Sequence, residues 1–160
     1  AYYIASTIPR GPLDDAYCFG LFHDCGIPIL MQRFPDYRQT LALAEKDDTQ
    51  PSTAVENERY ATDHATIGYL VAKCWFLPEA ICNGIFYHHD PSVFDDKDSF
   101  NPQAMTLIAI NAIAEYFHDE YFLTRTNYRG ETIDSRVLGH LGLQDDEYSD
   151  LREDLSKLFK

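Results

Sequence analysis

Ala16-Tyr-Cys-Phe-Gly-Leu-Phe-His-Asp-Cys-Gly26 ends an apolar run in an imidazole beside a carboxylate. Neither polar group of His23-Asp24 is cheap to bury without a partner. Gly26 is suited to the residue just past a helix end. The stretch therefore reads as a buried helix whose last turn points two polar side chains at something.

The other histidines suggest what that is. His64 sits at a helix start and His88-His89 at a helix end. Imidazoles and carboxylates are the usual ligands of zinc, iron, nickel and manganese. Helix ends gathered beside breaks could aim these groups into one cleft. Spacing alone leaves the alternative open, that of separate core and surface histidines. Adjacent helical residues point about 100° apart, so His88 and His89 are not expected to serve equally. One would be a ligand and the other an outer contact. His118 and His140 are expected to be bystanders.

Working outward, the chain reads as helices separated by breaks. Pro9 and Gly11-Pro12 stop a first helix over residues 1–8. Asp14 and Asp15 then favour a helix N-terminus. Pro28 to Arg33 is a short helix ended by Pro35, and Tyr37 to Lys46 another. Thr53 and Glu56 have capping-box spacing, and Asp63 suits a cap for the next helix. There Ile67, Leu70, Val71, Cys74 and Trp75 make an i, i+3, i+4, i+7, i+8 stripe expected to face the core. Tyr60 is likewise expected in the core. Residues 90–100 read as an acidic surface loop and 119–134 as irregular. Asn101-Pro102 caps an apolar helix over Met105–Phe117, the expected centre of the fold. Short helices over Ser135–Leu141 and Asp146–Phe159 follow, the last with Lys157 and Lys160 at its end. No strand alternation is visible, so the class is all-α.

The 160 residues suit one domain, 1–160, with room for a sizeable core. The net charge of −13 repels nucleic acid and anionic membranes, and no Lys/Arg cluster offsets it. No apolar run reaches the roughly 18 residues that span a bilayer. Cys18, Cys25, Cys74 and Cys82 form no CxxC pair and are each expected to be buried structural thiols, which suits a reducing, cytoplasmic setting. The chain opens inside an apolar segment, Ala1-Tyr-Tyr-Ile-Ala5. It is therefore expected to be a central or C-terminal part of a longer protein.

The order of motifs resembles a known family. Gly20-Leu-Phe-His-Asp-Cys-Gly26 is similar to the Gly-Leu-Leu-His-Asp-Ile-Gly signature of the HD superfamily. Glu56-Asn-Glu-Arg-Tyr-Ala-Thr-Asp-His64 resembles its Glu-x-x-x-Phe-Gly-x-Asp-His element. Gly68, Trp75, Leu77-Pro78 and Ile85-Phe-Tyr-His-His-Asp-Pro91 continue the likeness to the HDOD domain, the HD-related output domain of bacterial signalling proteins. The resemblance covers residues 13–118, with Leu138-Gly-His-Leu-Gly-Leu143 similar to the family's C-terminal end.

The resemblance implies an HD-like helical bundle and a metal set of His23, Asp24, His64, His88 and His89. Three departures make that site degenerate. No histidine precedes His23. Asn111 stands where the family has its last aspartate. No Gly-Tyr-Pro element follows His89. A non-catalytic signal-transduction module is therefore expected, with other signalling proteins or domains as partners. The alternative is a metal-dependent phosphohydrolase acting on nucleotides or cyclic dinucleotides. Any cofactor would be a divalent transition metal: Mn, Fe, Ni or Zn. The His23-Asp24 pair is expected to order the cleft by bonding to His64 and to the His88-His89 helix end.

Overall fold

The computed structural model describes residues 1–44, 46, 50–95, 99–122 and 133–158. Its helices are α1 (Tyr2–Thr7), α2 (Leu13–Phe22), α3 (Gly26–Arg33), α4 (Tyr37–Ala44), α5 (Ser52–Tyr60), α6 (His64–Cys74), α7 (Glu79–Tyr87), α8 (Pro102–Phe122), α9 (Ser135–Leu141) and α10 (Asp145–Leu158). A 3-10 turn, Pro91–Phe94, lies between α7 and α8. No strand occurs among the described residues, and the all-α, HD-like reading holds. None of these helices is long and apolar enough to cross a membrane.

The apolar stretch after Asn101 makes α8 the axis of the bundle. Asn101 Oδ1 accepts from the Gln103 and Ala104 amides, and Pro102 opens the helix where no donor is needed. Met105, Leu107, Ile108, Ala109, Ile110, Asn111 and Ile113 are then buried in near succession. A helix apolar all round must be covered all round. α1, α2, α7 and α9 supply that cover.

A second layer is set by two glycines. α6 packs between α3 and α7. A Cβ on Gly26 would lie 2.0 Å from the His64 carbonyl oxygen. One on Gly68 would lie 2.9 Å from Ile85 Cγ2. Only bare backbone permits this approach, and it seats the first turn of α6 beside the end of α2.

The approach also turns α6 over. Its buried positions are His64, Ala65, Gly68 and Ala72, while Leu70 and Trp75 are about half exposed. Of the large-residue stripe expected in the core, Leu70, Cys74 and Trp75 lie on the outer face and Ile67 and Val71 are half-buried. Small residues win the inner face because α3 and α7 come too close for large ones. Cys74 is exposed on that outer face, and only Cys82 of the four cysteines is fully buried. Tyr60 is half-buried, stacked on Phe34 and bonded to the Thr40 hydroxyl.

Two expected loops hold helical segments among their described residues. Asp90 Oδ1 caps the Pro91–Phe94 turn, which buries Val93 and Phe94 and leaves Pro91, Ser92 and Asp95 exposed, so the stretch is a surface loop only in part. Residues 119–122 continue α8, because nothing in His118-Asp-Glu-Tyr-Phe122 breaks a helix. Residues 96–98, 123–132 and 159–160, with Lys160 among them, lie outside the described residues.

The end of α6 generates a prediction. The Leu77 amide bonds the Ala72 carbonyl at 3.0 Å and the Phe76 amide bonds the Lys73 carbonyl at 3.1 Å. This is a Schellman cap with phenylalanine in the left-handed position usually held by glycine, at φ 58°. The Phe76 ring is 93% exposed and gains nothing from burial. Phe76→Gly should stabilise the protein by about 1 kcal/mol, raising Tm by about 2–4 °C in a thermal melt. An unchanged or lower Tm would mean that the left-handed residue carries no strain.

Candidate metal centre

The site is built from a buried carboxylate outward. Glu56, on α5, is fully buried. Its Oε1 accepts from the Tyr37 hydroxyl at 3.0 Å. Its Oε2 accepts from the His64 backbone amide at 2.7 Å. His64 Nδ1 lies 2.9 Å from both carboxylate oxygens. A carboxylate only accepts, so the ring proton sits on Nδ1 and Nε2 is left to face the cleft.

Local sequence brings these groups together. Ala61 ends α5 in the left-handed region, at φ 55°, with its amide on the Asn57 carbonyl. Asp63 Oδ1 then accepts from the Thr66 amide at 2.7 Å and starts α6, as expected of a cap. The turn folds the first residue of α6 back onto Glu56. The expected capping box of Thr53 and Glu56 is not formed. Glu56 turns inward to His64, and the Thr53 carbonyl is met instead by the Asn57 side chain. A buried imidazole with an open N–H holds a carboxylate more strongly than an exposed helix end does.

α7 delivers the other rings. His88 Nδ1 donates to the Ile85 carbonyl at 2.7 Å, which directs its Nε2 into the cleft. His64 Nε2 lies 3.4 Å from His88 Nε2 and 2.9 Å from His89 Nε2. Both histidines of the pair reach the cluster. α7 ends at Tyr87, and from the turn that follows the two rings converge with centroids 4.0 Å apart.

α2 adds the opening pair. Asp24 Oδ1 lies 3.5 Å from both His64 Nε2 and His88 Nε2, so the bonding expected of the His23-Asp24 pair is made by its aspartate. Its Oδ2 lies 3.3 Å from His23 Nε2. The His23 ring is set by Nδ1 donating to the Gly20 carbonyl at 3.0 Å.

One ligand atom from each of Asp24, His64, His88 and His89 lies within 4.8 Å of the others. His23 stands beside this group, bonded to Asp24 and to a residue that sequence reading did not single out, Glu115. Asn111, buried on α8, donates from Nδ2 to Glu115 Oε1 at 2.7 Å. His118 is exposed beside Asp119, and His140 bonds Thr106. Neither joins the cluster.

The electrostatics follow from these contacts. Burial alone would lower the His23 imidazole, but its bonds to Asp24 and Glu115 outweigh that and raise it to about 10. Burial would raise the Asp24 carboxyl, but His23 and His88 hold it well below the usual carboxylate range. Burial would likewise lower His64, and the bonded charge of Glu56 reverses the sign. Imidazole nitrogens facing one another this closely are stable only with a proton or a cation between them. Three nitrogens and a carboxylate oxygen suit zinc, nickel, iron or manganese. The residues present therefore fit a divalent transition metal. A Glu56–His64 pair behind the ligand atom is the usual way such a ring is oriented.

The centre lines a cleft of about 1400 Å³. Among the described residues Arg136 is the only lysine or arginine on its walls, and its guanidinium is already paired with Asp134 and Asp95.

Removing the buried carboxylate should be costly. Glu56→Ala would strand the Tyr37 hydroxyl and two His64 donors, for a loss of about 3–5 kcal/mol. Glu56→Gln keeps one acceptor oxygen but turns an NH2 donor toward the His64 donors, and should lose less, about 2–3 kcal/mol. Urea unfolding of both variants checks the order, and equal losses would show that charge rather than hydrogen bonding decides it.

Comparison with known proteins places the chain. An "Uncharacterized protein" of Treponema pallidum (strain Nichols) is 29% identical over 85 residues, covering 53% of this chain and 17% of that protein. The chain thus matches only a small part of that relative's length. No solved structure matches significantly. The HDOD domain family matches residues 1–91, which includes His23, Asp24, His64, His88 and His89, and this chain belongs to that family.

Proposed function

We propose that the chain is a signal-transduction module that holds a divalent transition metal in the Asp24, His64, His88 and His89 cluster without hydrolysing a phosphoester. One observation carries the reading. His64 and His88 each have Nδ1 committed to a protein acceptor and Nε2 turned to a common centre with Asp24 and His89. Such commitment fixes the rings before any metal arrives, which lowers the cost of binding.

Three features favour regulation over turnover. Asn111 is neutral where the family's last aspartate would stand. No Gly-Tyr-Pro follows His89. The guanidinium on the cleft wall is already paired, so a phosphodiester finds little positive charge to grip. A metal held there would supply fixed charge, and on an exposed water it would lower the water's pKa. Partners would be other signalling proteins or domains in a bacterial cytoplasm. A phosphohydrolase acting on nucleotides or cyclic dinucleotides is the second reading, favoured by the open cleft beside the cluster.

Purification of the chain without chelator, followed by elemental analysis, is expected to give bound transition metal that His64→Ala removes. A panel of phosphoesters with added manganese, iron or nickel should give no turnover above buffer. Turnover that His23→Ala abolishes would establish the hydrolase reading instead.

A further inference from the structure

The layer of α3, α6 and α7 differs from the rest of the surface in two ways. The first is charge. The chain has 26 acidic residues against 13 basic ones. On α10 they run along the helix as Asp145, Asp146, Glu147, Asp150, Glu153 and Asp154. α3 and α6 carry none, and α7 carries only Glu79, at its first position. α4, which packs on α3, also lacks them. α1 and α9 lack them too, but those helices pack on α8 instead. Arg33 and Lys73 are exposed at the ends of α3 and α6, and they weaken the negative field there further.

The second is apolar exposure. The close crossing turns the large residues of α6 outward, and they stay exposed in the single chain. Trp75 meets Phe22 edge-on at 5.3 Å and is still half exposed. Tyr69 meets Phe86 in the same way, which carries the aromatic surface from α6 to α7. Phe76 holds a left-handed position that costs free energy in any residue but glycine. The chain bears that cost for a ring it does not bury. Strain of this kind gathers at sites that bind something.

We propose that this face is a self-association surface, on which a second copy of the chain packs about a two-fold axis through Leu70, Trp75 and Phe76. Charge selects the occupant. Each copy carries −13, so two copies repel one another wherever acids face acids. They can close only across an acid-poor face, and an isologous pairing sets this one against itself, apolar on apolar, with no charge pair required. A basic partner would instead be steered to the acidic helices. The net charge opposes association and keeps the dimer weak, with a Kd on the order of 10–100 µM. Whether the four-residue cluster holds metal has no bearing on this face.

Sedimentation velocity on the full chain, with reductant so that the exposed Cys74 cannot crosslink two copies, provides the test. The wild type should pass from monomer to dimer between about 1 µM and about 1 mM. The midpoint should fall as salt rises from about 0.05 to about 0.5 M, because the mutual repulsion is screened. Leu70→Glu places an acid on the acid-free helix and should weaken the dimer about tenfold or more. Phe76→Gly should weaken it about tenfold while raising the Tm of the dissociated chain in dilute solution, so its loss of dimer is no folding defect. Leu158→Glu adds the same charge at an exposed position on α10 and should change Kd less than about twofold. A chain that stays monomeric to about 1 mM would overturn the proposal. So would a dimer that Leu70→Glu and Phe76→Gly leave intact, or one that Leu158→Glu weakens equally. A dimer dissolved by salt would be held by charge pairs rather than by this face, and would overturn it as well.

Discussion

The contact between Glu56 and His64 is the constraint on which the site depends. A fully buried carboxylate is tolerable only with its oxygens satisfied, and here Tyr37, the His64 amide and the His64 ring satisfy them. The same bonds decide which ring nitrogen carries the proton. One interaction thus pins α4 and α5 to the start of α6 and also sets the acid–base character of the cleft. Stability and site chemistry are coupled at that carboxylate. Replacements there cannot alter one without the other.

The glycine crossing makes this contact possible. Gly26 allows the start of α3 to touch the His64 carbonyl, and Gly68 allows α7 to close on α6. These approaches bring the end of α2, the start of α6 and the end of α7 to one place. Large side chains at either crossing would spread the helix ends that carry the ligands. The cost appears on the other side of α6. Its bulky residues are left facing outward, Leu70 and Trp75 half exposed and Phe76 almost fully so. Burying small residues and exposing large ones is what a close helix crossing demands.

Much of this was legible in the chain, and the misreadings have physical causes. His23-Asp24, His64, His88 and His89 could be located because each lies beside a helix break. The inner face of α6 could not, because periodicity finds an apolar stripe without saying which of two small-or-large stripes meets a neighbour. Glu56 was misassigned because three-residue spacing after Thr53 fits a capping box equally well. The signal that pointed the other way was its place eight residues before His64 in the element shared with the family. Glu115 gave no local signal at all. A glutamate on a helix is ordinary, and only the fold brings it to His23, 92 residues earlier in the chain.

That distance matters for how degeneracy is judged. Asn111 is neutral where the resemblance would place the family's last aspartate. Counted by what reaches His23, a negative charge is present, carried by Glu115 and steadied by the Asn111 amide. An asparagine in a buried helix face would otherwise be a liability, since its donors need acceptors. Here the donor finds Glu115, and the pair satisfies itself while facing the imidazole. An amide cannot attract a cation as a carboxylate does, but it can hold a carboxylate where one is needed. A neutral side chain at position 111 therefore does not by itself leave His23 without an acid, because the fold brings Glu115 within reach of the same ring.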